Sequence, residues 1–556
     1  LDRGYVDKVD TEKLFETAMS GMLKSLDPYT EFEGKKEAQE MQESVSGKYG
    51  GVGLVISGSE RTSGLLDEQK ISAEDKEEGN SFDILDDEDD DISNIKKPSK
   101  EKGDEELEKM RKRRFARAEN LQKRGIRVIS AFEGYAYDAG MRAGDKIIAV
   151  DDLVIKDGDT SVEDVRNRLR GTPGTVTQIK VQREGVGELT VSVPRTLVKL
   201  RDVKLASMVV QPNAKAGGVG YIQLSGFSAN AGAEVRGALR KLQAAAETGS
   251  DGRQMLDGLI LDMRSNPGGL LTQAVDVASI LVPKNSDIVS ARGRGFPGVL
   301  YRTGKENPLL SPNTKLVVLV NGNTASAAEI VSGAVQDLDV GVVLGADRTF
   351  GKGLVQNVEE LPFETALKYT VAKYYTPSGR CIQSTNYKEG GGIDSKSSGF
   401  TSTKVKESEK QKFFTKAGRV VSDGGGVEAD VKVEMPKASA LEVTLLRSGL
   451  MADYAASWSR GHELPNTRFE INDDTYADFR KFVLQKQKSE EIDLLDGIYN
   501  APIAELSRSL KLSGYNQSLK QPLKELQQSI LRDMERDFDK YRDDLKEDLA
   551  NNILVR

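Results

Sequence analysis

The chain has 556 residues, 38% of them hydrophobic and 30% charged, and a formal net charge of -8. That length exceeds one hydrophobic core and calls for several folded units; the acidic balance argues against a general nucleic-acid binder, and no apolar stretch reaches the length of a membrane-spanning helix. Cys381 is the only cysteine, which excludes an internal disulfide and a thiolate metal cluster.

The sequence begins at Leu1, so a mature form or a fragment is expected, with any targeting segment upstream. Residues 1–46 read as helices: Leu14, Ala18, Met22 and Leu23 share one face, and Asp27-Pro28 ends the run. From Gly47 to Ile56 a glycine-rich turn leads into a short strand. Such a turn can present several free amides to one anion, and the strand edge can pair with an extended peptide. Residues 59–125 are acidic at Asp86–Asp91, basic at Lys109–Arg114 and poor in large hydrophobes before residue 105. They cannot bury enough apolar area to offset chain entropy, so disorder is expected over most of them, with a charged helix at Glu105–Lys123. Strands follow at Ile126–Ser130, Val176–Val181 and Leu189–Val193.

From about residue 205 the pattern becomes α/β. Gly218–Leu224 reads as a strand and Ala231–Ala245 as a helix with Val235, Leu239 and Leu242 inward. Gly258 to Asp262 reads as a strand that ends in the tight loop Met263-Arg264-Ser265-Asn266-Pro267-Gly268-Gly269. Leu316–Val320 is a continuous apolar run, broken by Asn321-Gly322-Asn323, after which Ile330, Val331, Ala334, Val335 and Leu338 recur at helical spacing. Ser326 therefore sits where a strand hands over to a helix. The first amides of a helix have no partner within it and favour negative charge. A hydroxyl there can act as a nucleophile, with the Ala327 amide facing the oxyanion it creates.

A nucleophilic serine needs a base. The one histidine, His462, lies in a polar stretch and reads as a solvated loop residue. A lysine is the next candidate. Lys352 lies between Gly351 and Gly353, with Leu354 and Val355 close by, which suggests a partly dry site. As a base near neutrality it must be lowered from an ordinary pKa of about 10.4, a change that burial can supply. Gln356, four residues on, could hold the amine by a hydrogen bond. Further strands are expected at Val355–Glu360 and Leu367–Tyr375, a polar insertion at 384–416, and a charged, helical region at 438–556 with Leu523, Leu526, Ile530 and Met534 along one face.

Thr324-Ala325-Ser326-Ala327-Ala328-Glu329 and Thr349-Phe350-Gly351-Lys352-Gly353-Leu354-Val355-Gln356 resemble the two active-site motifs of the carboxyl-terminal processing peptidases, also called tail-specific proteases. The resemblance implies Ser326 as nucleophile, Lys352 as general base and Gln356 as its orienting partner. The block Gly258 to Gly269 is similar to a third family motif, with Met263 and Ser265 as departures. It implies that an amide of the Gly268-Gly269 pair is the second oxyanion donor beside Ala327. Asp262 and Arg264 are expected to form a structural ion pair or to hold the loop. Tyr375 to Gln383 and Thr415 to Asp430 also match, with Cys381 and Ala429 as departures. Gly47–Ile56 looks like a PDZ carboxylate-binding loop, which assigns the grip on a chain end to Gly51, Val52, Gly53 and Leu54. The PDZ phrase continues at Ala139–Asp151 and Val162–Gly174.

The implied fold is a multidomain α+β protein: a PDZ domain and an α/β peptidase core of the crotonase/ClpP type, with helical N- and C-terminal segments. The expected divisions are 1–46, a PDZ domain over 47–204 interrupted at 59–125, a core over 205–437, and a helical extension over 438–556. The implied function is a serine endopeptidase that cleaves proteins near their C-terminus after the PDZ domain binds the tail. Its partners are protein tails, with no nucleic acid; it requires no metal, nucleotide or other cofactor, and the N-terminal segment often serves in oligomer contacts in that family. Members work outside the cytoplasm, in the bacterial periplasm or the thylakoid lumen of plastids. Two readings from other classes compete: a PDZ scaffold with an inactive core, and an acyl-CoA enzyme of the crotonase type.

Overall fold

The computed structural model describes residues 6, 9–23, 26–58, 125–156, 160–183, 185–210, 217–246, 256–386, 403–434, 438–459, 461–462, 470–489, 492–495, 498–513 and 516–554. The expected disordered insertion with its charged helix, over 59–124, and residues 387–402 of the second insertion lie outside the described residues. The chain divides into two compact units, Leu1–Tyr49 with Lys199–Met435, and Gly50–Val198 with Pro436–Arg556.

The first unit is built on a six-stranded sheet in the order Val203–Val210, Val219–Leu224, Gly258–Asp262, Lys315–Val320, Val342–Gly345, Val431–Lys432. The first pair is antiparallel and the other four are parallel. Parallel strands need covered faces, and the helices Ala231–Ala245, Leu271–Leu281 and Ala327–Asp337 arise from the crossovers that join them. Val235, Leu239 and Leu242 are buried as their spacing predicts, in one cluster with Leu224, Leu261, Val277, Val318, Val331 and Val343. Each such side chain stabilises the unit by roughly 1.5–3 kcal/mol. The helix Ala327–Asp337 is buried at every residue, so it forms the centre of the core and fixes Ser326 at its start.

A second sheet of this unit runs Glu31–Glu33, Thr365–Tyr375, Asp287–Arg292, Val299–Arg302, with Leu354–Leu361 also paired to Thr365–Tyr375. The N-terminal segment is thus not helix alone. Between the helices Thr11–Leu23 and Lys35–Ser46 it lays a three-residue strand on Thr365–Tyr375. On the apolar face of Thr11–Leu23, Leu14 is 42% and Met22 59% exposed, and the strand pairing ties the segment to the core. The second insertion is also part of the fold at its far end, where Lys412–Phe414 pairs with Val420–Ser422.

In the second unit, Leu54–Ser57 is the edge strand of an antiparallel sheet that continues through Ile126–Ala131, Lys146–Val150, Val176–Arg183 and Gly187–Pro194. The helix Val162–Leu169 starts at a capping box in which Ser161 and Asp164 exchange bonds. Val128, Ile147, Val165, Ile179 and Val181 form its core. The C-terminal helices bury a separate cluster including Leu445, Tyr454, Phe479, Met534, Phe538 and Leu549. In the helix Asn516–Lys540 the buried face is Ile530, Met534 and Phe538; Leu526, expected on it, is 45% exposed.

Candidate active site

The strands Gly258–Asp262 and Lys315–Val320 are parallel neighbours in register, with Asp262 beside Leu319. Their carboxyl ends release two loops side by side, the position where open α/β sheets place ligand sites. The loops are sewn together by Ala325 N donating to Asn266 O at 2.9 Å, Thr324 Oγ1 to Met263 O at 2.8 Å and Ser265 N to Asn321 Oδ1 at 2.9 Å. The two departures from the family motif, Met263 and Ser265, therefore both contribute to the seam. Behind them, Arg264 forks onto Asp262, and Tyr221 Oη donates to Asp262 Oδ2 at 2.7 Å. Burial raises the Asp262 carboxyl, but the Arg264 bonds outweigh it and hold the group below the usual carboxylate range. The pair holds the loop, as expected.

Ser326 is buried and sits at φ 55°, ψ -117°, a backbone conformation that costs a non-glycine residue about 1–3 kcal/mol. The turn places Ala327 first in the helix, and among the described residues its amide has no hydrogen-bond partner. Gly268, at φ 98°, closes against this turn: a Cβ there would lie 2.8 Å from Ser326 Cβ and 2.9 Å from Ala327 N. The Gly268 amide is taken, donating to Asn266 Oδ1 at 2.9 Å. The Gly269 amide is without a partner among the described residues, while its neighbours bridge to Phe227.

Glu329, one turn into the helix, is fully buried. It accepts from Ser326 N at 2.8 Å, Lys352 N at 2.9 Å, Gly351 N at 2.7 Å and the Thr349 hydroxyl at 2.5 Å. Burial pushes its carboxyl up, and these four donors oppose the rise by favouring the anion. Sequence reasoning missed this residue. Its signal was present as an acidic side chain inside an apolar helix face, a position that demands partners.

Lys352 leaves the loop Thr349–Gly353 just before the strand Leu354–Leu361. Its Nζ lies 4.5 Å from the ring centroid of Tyr29. Burial lowers its pKa, the nearby Lys368 charge lowers it further, and Glu31, Glu329 and Asp27 oppose. Gln356 is turned to Thr370, with Nε2 donating to Thr370 Oγ1 at 3.4 Å. Among the described residues no hydrogen bond joins Lys352 Nζ to Ser326 Oγ or to Gln356. The hydrogen-bonding neighbour of the Ser326 side chain is Tyr374, whose phenol is pushed up to about 12 by burial and whose amide donates to Gly353 O at 2.9 Å.

His462 is exposed and stacks on Trp458 at 4.1 Å, as a solvated residue would. In the second unit, Val52 O and Gly53 O accept from Ala136 N at 3.0 Å and Phe132 N at 2.9 Å, which holds the turn open at the sheet edge. The amides of Val52 and Gly53 have no hydrogen-bond partner among the described residues. Gly53 needs to be glycine: it lies at φ 72°, and a Cβ would meet Tyr135 Cβ at 2.6 Å. Gly51 ends one strand and Leu54 begins the edge strand on either side of these amides.

Residues 218–395 match peptidase family S41, residues 132–183 match a PDZ domain, and residues 441–556 match the C-terminal helical domain of probable PDZ-proteases. The carboxy-terminal-processing protease of Bartonella bacilliformis is 30% identical over 381 residues, which are 68% of this chain and 69% of that protein. The chloroplastic C-terminal processing peptidase of Tetradesmus obliquus is 34% identical over 254 residues, 44% of this chain and 52% of that one. A solved structure, photosystem II D1 C-terminal processing protease, is 24% identical with a TM-score of 0.36 over 78% of this chain and 85% of that chain.

Proposed function

The chain belongs to the carboxy-terminal-processing proteases of peptidase family S41, and from that membership we propose that the Ser326 turn and the Lys352 loop carry out its peptide cleavage. It is a serine-type peptidase that acts near the C-terminus of proteins. Neutral Lys352 takes the Ser326 Oγ proton as Oγ attacks the scissile carbonyl carbon. The carbonyl oxygen becomes an oxyanion facing the Ala327 amide and the Gly268-Gly269 loop. Collapse breaks the C–N bond, and the Lys352 ammonium returns the proton to the leaving amine. Water then hydrolyses the acyl-enzyme by the same route in reverse.

The observation that carries this reading is the strained Ser326 turn, whose Ala327 amide has no partner among the described residues, tied through Glu329 to the loop that bears the half-buried Lys352. Of the glycine pair, Gly269 is the donor the bonding favours, because the Gly268 amide is held by Asn266. Each oxyanion donor contributes roughly 3 kcal/mol to the barrier reduction. Lysine has a long flexible stem, so its amine can reach the Ser326 hydroxyl across the face of Tyr29 when substrate enters. Gln356 can leave Thr370 to steady the amine there.

The PDZ sheet edge at Leu54–Ser57 takes the substrate tail as an added strand, with its carboxylate on the amides around Gly51, Val52, Gly53 and Leu54. The parallel sheet and its crossover helices support a crotonase/ClpP-like core. The exposed Leu14 and Met22 fit a homo-oligomer contact. The chloroplastic relative supports a plastid location, with the periplasm as the bacterial equivalent.

Incubating the purified chain with a folded protein carrying an apolar C-terminal tail, and locating the cuts by mass spectrometry, tests the proposal. Cleavage that resists chelators and stops with a serine-directed reagent or in Ser326→Ala supports it. Binding of the tail without turnover would leave the scaffold reading, and turnover of an acyl-CoA would favour the crotonase reading.

A further inference from the structure

The N-terminal segment enters the catalytic machinery through one side chain. Asp27 builds a rigid turn: Oδ1 accepts from Tyr29 N at 2.8 Å and Thr30 N at 2.9 Å, and Oδ2 accepts from the Thr30 hydroxyl at 2.7 Å. The turn is fastened to the core. Thr370 N donates to Thr30 Oγ1 at 3.2 Å, Glu31–Glu33 pairs with Ala366–Lys368, and Lys368 Nζ bonds both Glu31 and Glu33. Held between these anchors, the half-buried side chain of Tyr29 turns its ring to Lys352 Nζ, at 4.5 Å. An aromatic face attracts an ammonium and shields it from water at once.

We propose that Tyr29 is a positioning residue for Lys352: its ring closes one side of the amine's pocket, keeps the amine near the serine turn, and holds water off it. The inference rests on the reading of Lys352 as the base. The hydroxyl of Tyr29 is not the active part; the ring is. The other charged groups acting on the amine are Lys368 from the paired strand, Glu31 from the N-terminal strand, Glu329 from the nucleophile helix and Asp27 from the turn. A Tyr29 substitution leaves all four in place. The ring acts in two opposing directions on the amine's protonation: it favours the ammonium by attraction and the neutral form by excluding water. Burial is the largest influence on this lysine and lowers its pKa, and the ring's exclusion of water acts in that same direction.

The test is the pH profile of kcat/KM for the full chain on a tailed substrate, for the unaltered protein, Tyr29→Phe, Tyr29→Leu and Lys352→Ala, with thermal melts to verify folding. Tyr29→Phe is expected to match the unaltered protein in profile and within about threefold in rate. Tyr29→Leu is expected to keep KM, to lose roughly tenfold or more in kcat as part of the general-base contribution, and to move its acidic limb to higher pH. An unmoved limb and unchanged kcat in Tyr29→Leu, or an equal loss in Tyr29→Phe, overturns the assignment while an inactive Lys352→Ala leaves the base reading standing. An active Lys352→Ala overturns both.

Discussion

Ser326 and Lys352 are joined through a single atom: Oε2 of Glu329 accepts the amide hydrogen of both, at 2.8 and 2.9 Å. Ser326 and Lys352 are 26 residues apart in the chain by their numbers, and this buried carboxylate ties their two loops together. A residue of neither motif's chemistry thus sets the geometry of both.

Glu329→Gln tests that bridge. Gln has one acceptor oxygen where four donors converge, and its NH2 faces other donors. Kinetics should show kcat falling about a hundredfold with little change in KM, the pattern of misplaced catalytic groups. Chemical denaturation should show a loss of roughly 2–4 kcal/mol, since bonds to a buried charge contribute about 1.5–3 kcal/mol each.

The pH dependence follows from the direction of the Lys352 shift. With Lys352 as the base, as proposed, the neutral amine is the active form, so activity should rise as pH rises through the lysine's pKa. Burial, and then the Lys368 charge, place that pKa below the ordinary value of about 10.4. Lys368→Met removes a repelling cation and frees the Glu31 and Glu33 carboxylates, and both changes favour the ammonium. The acidic limb of kcat/KM should therefore move to higher pH, read from a pH series at fixed ionic strength.

Gly268→Ala should abolish cleavage. The new Cβ would lie 2.8 Å from both Ala325 O and Ser326 Cβ, backbone and nucleophile atoms that cannot yield without moving the turn. A loss of at least about a hundredfold in kcat is expected, comparable to the removal of an oxyanion donor. Steady-state assay of the folded variant checks it.

Asp337→Ala should cost stability. Asp337 and Arg380 form an ion pair at 2.8 Å with both side chains fully buried. Asp337 also accepts from the Thr376 hydroxyl and the Ser378 amide. Removing one partner strands the other charge, at a cost of about 3–5 kcal/mol in a urea titration; Arg380→Met with Asp337→Leu together should recover part of it.

The parts legible in the sequence were those fixed by local pattern. The helix Ala231–Ala245 has the expected bounds, and the apolar run before Ser326 is a buried strand of the central sheet. The helix Leu271–Leu281 carries a weaker signal: Leu271, Ala274, Ala278 and Leu281 fall at helical spacing, but its N-cap is Leu270, without a capping bond, and its valines suit a strand equally well. The helical spacing of Thr11–Leu23 shows that a face exists, not what covers it. Motif residues announced Ser326, Lys352 and the glycine pair. Tyr29 and Tyr374 did not announce themselves, and Glu329, though at the end of the first motif, showed only a need for partners, since each acts on groups that are close only after folding: Tyr29 meets Lys352 across a sheet pairing between the two ends of the first unit.

The most direct measurement is single-turnover cleavage of a tailed substrate by Lys352→Ala beside Ser326→Ala and the unaltered chain, each shown to be folded by its melt. The account predicts that both variants lose cleavage by at least about a thousandfold while still binding the tail. Cleavage by Lys352→Ala at a rate near that of the unaltered protein would contradict it.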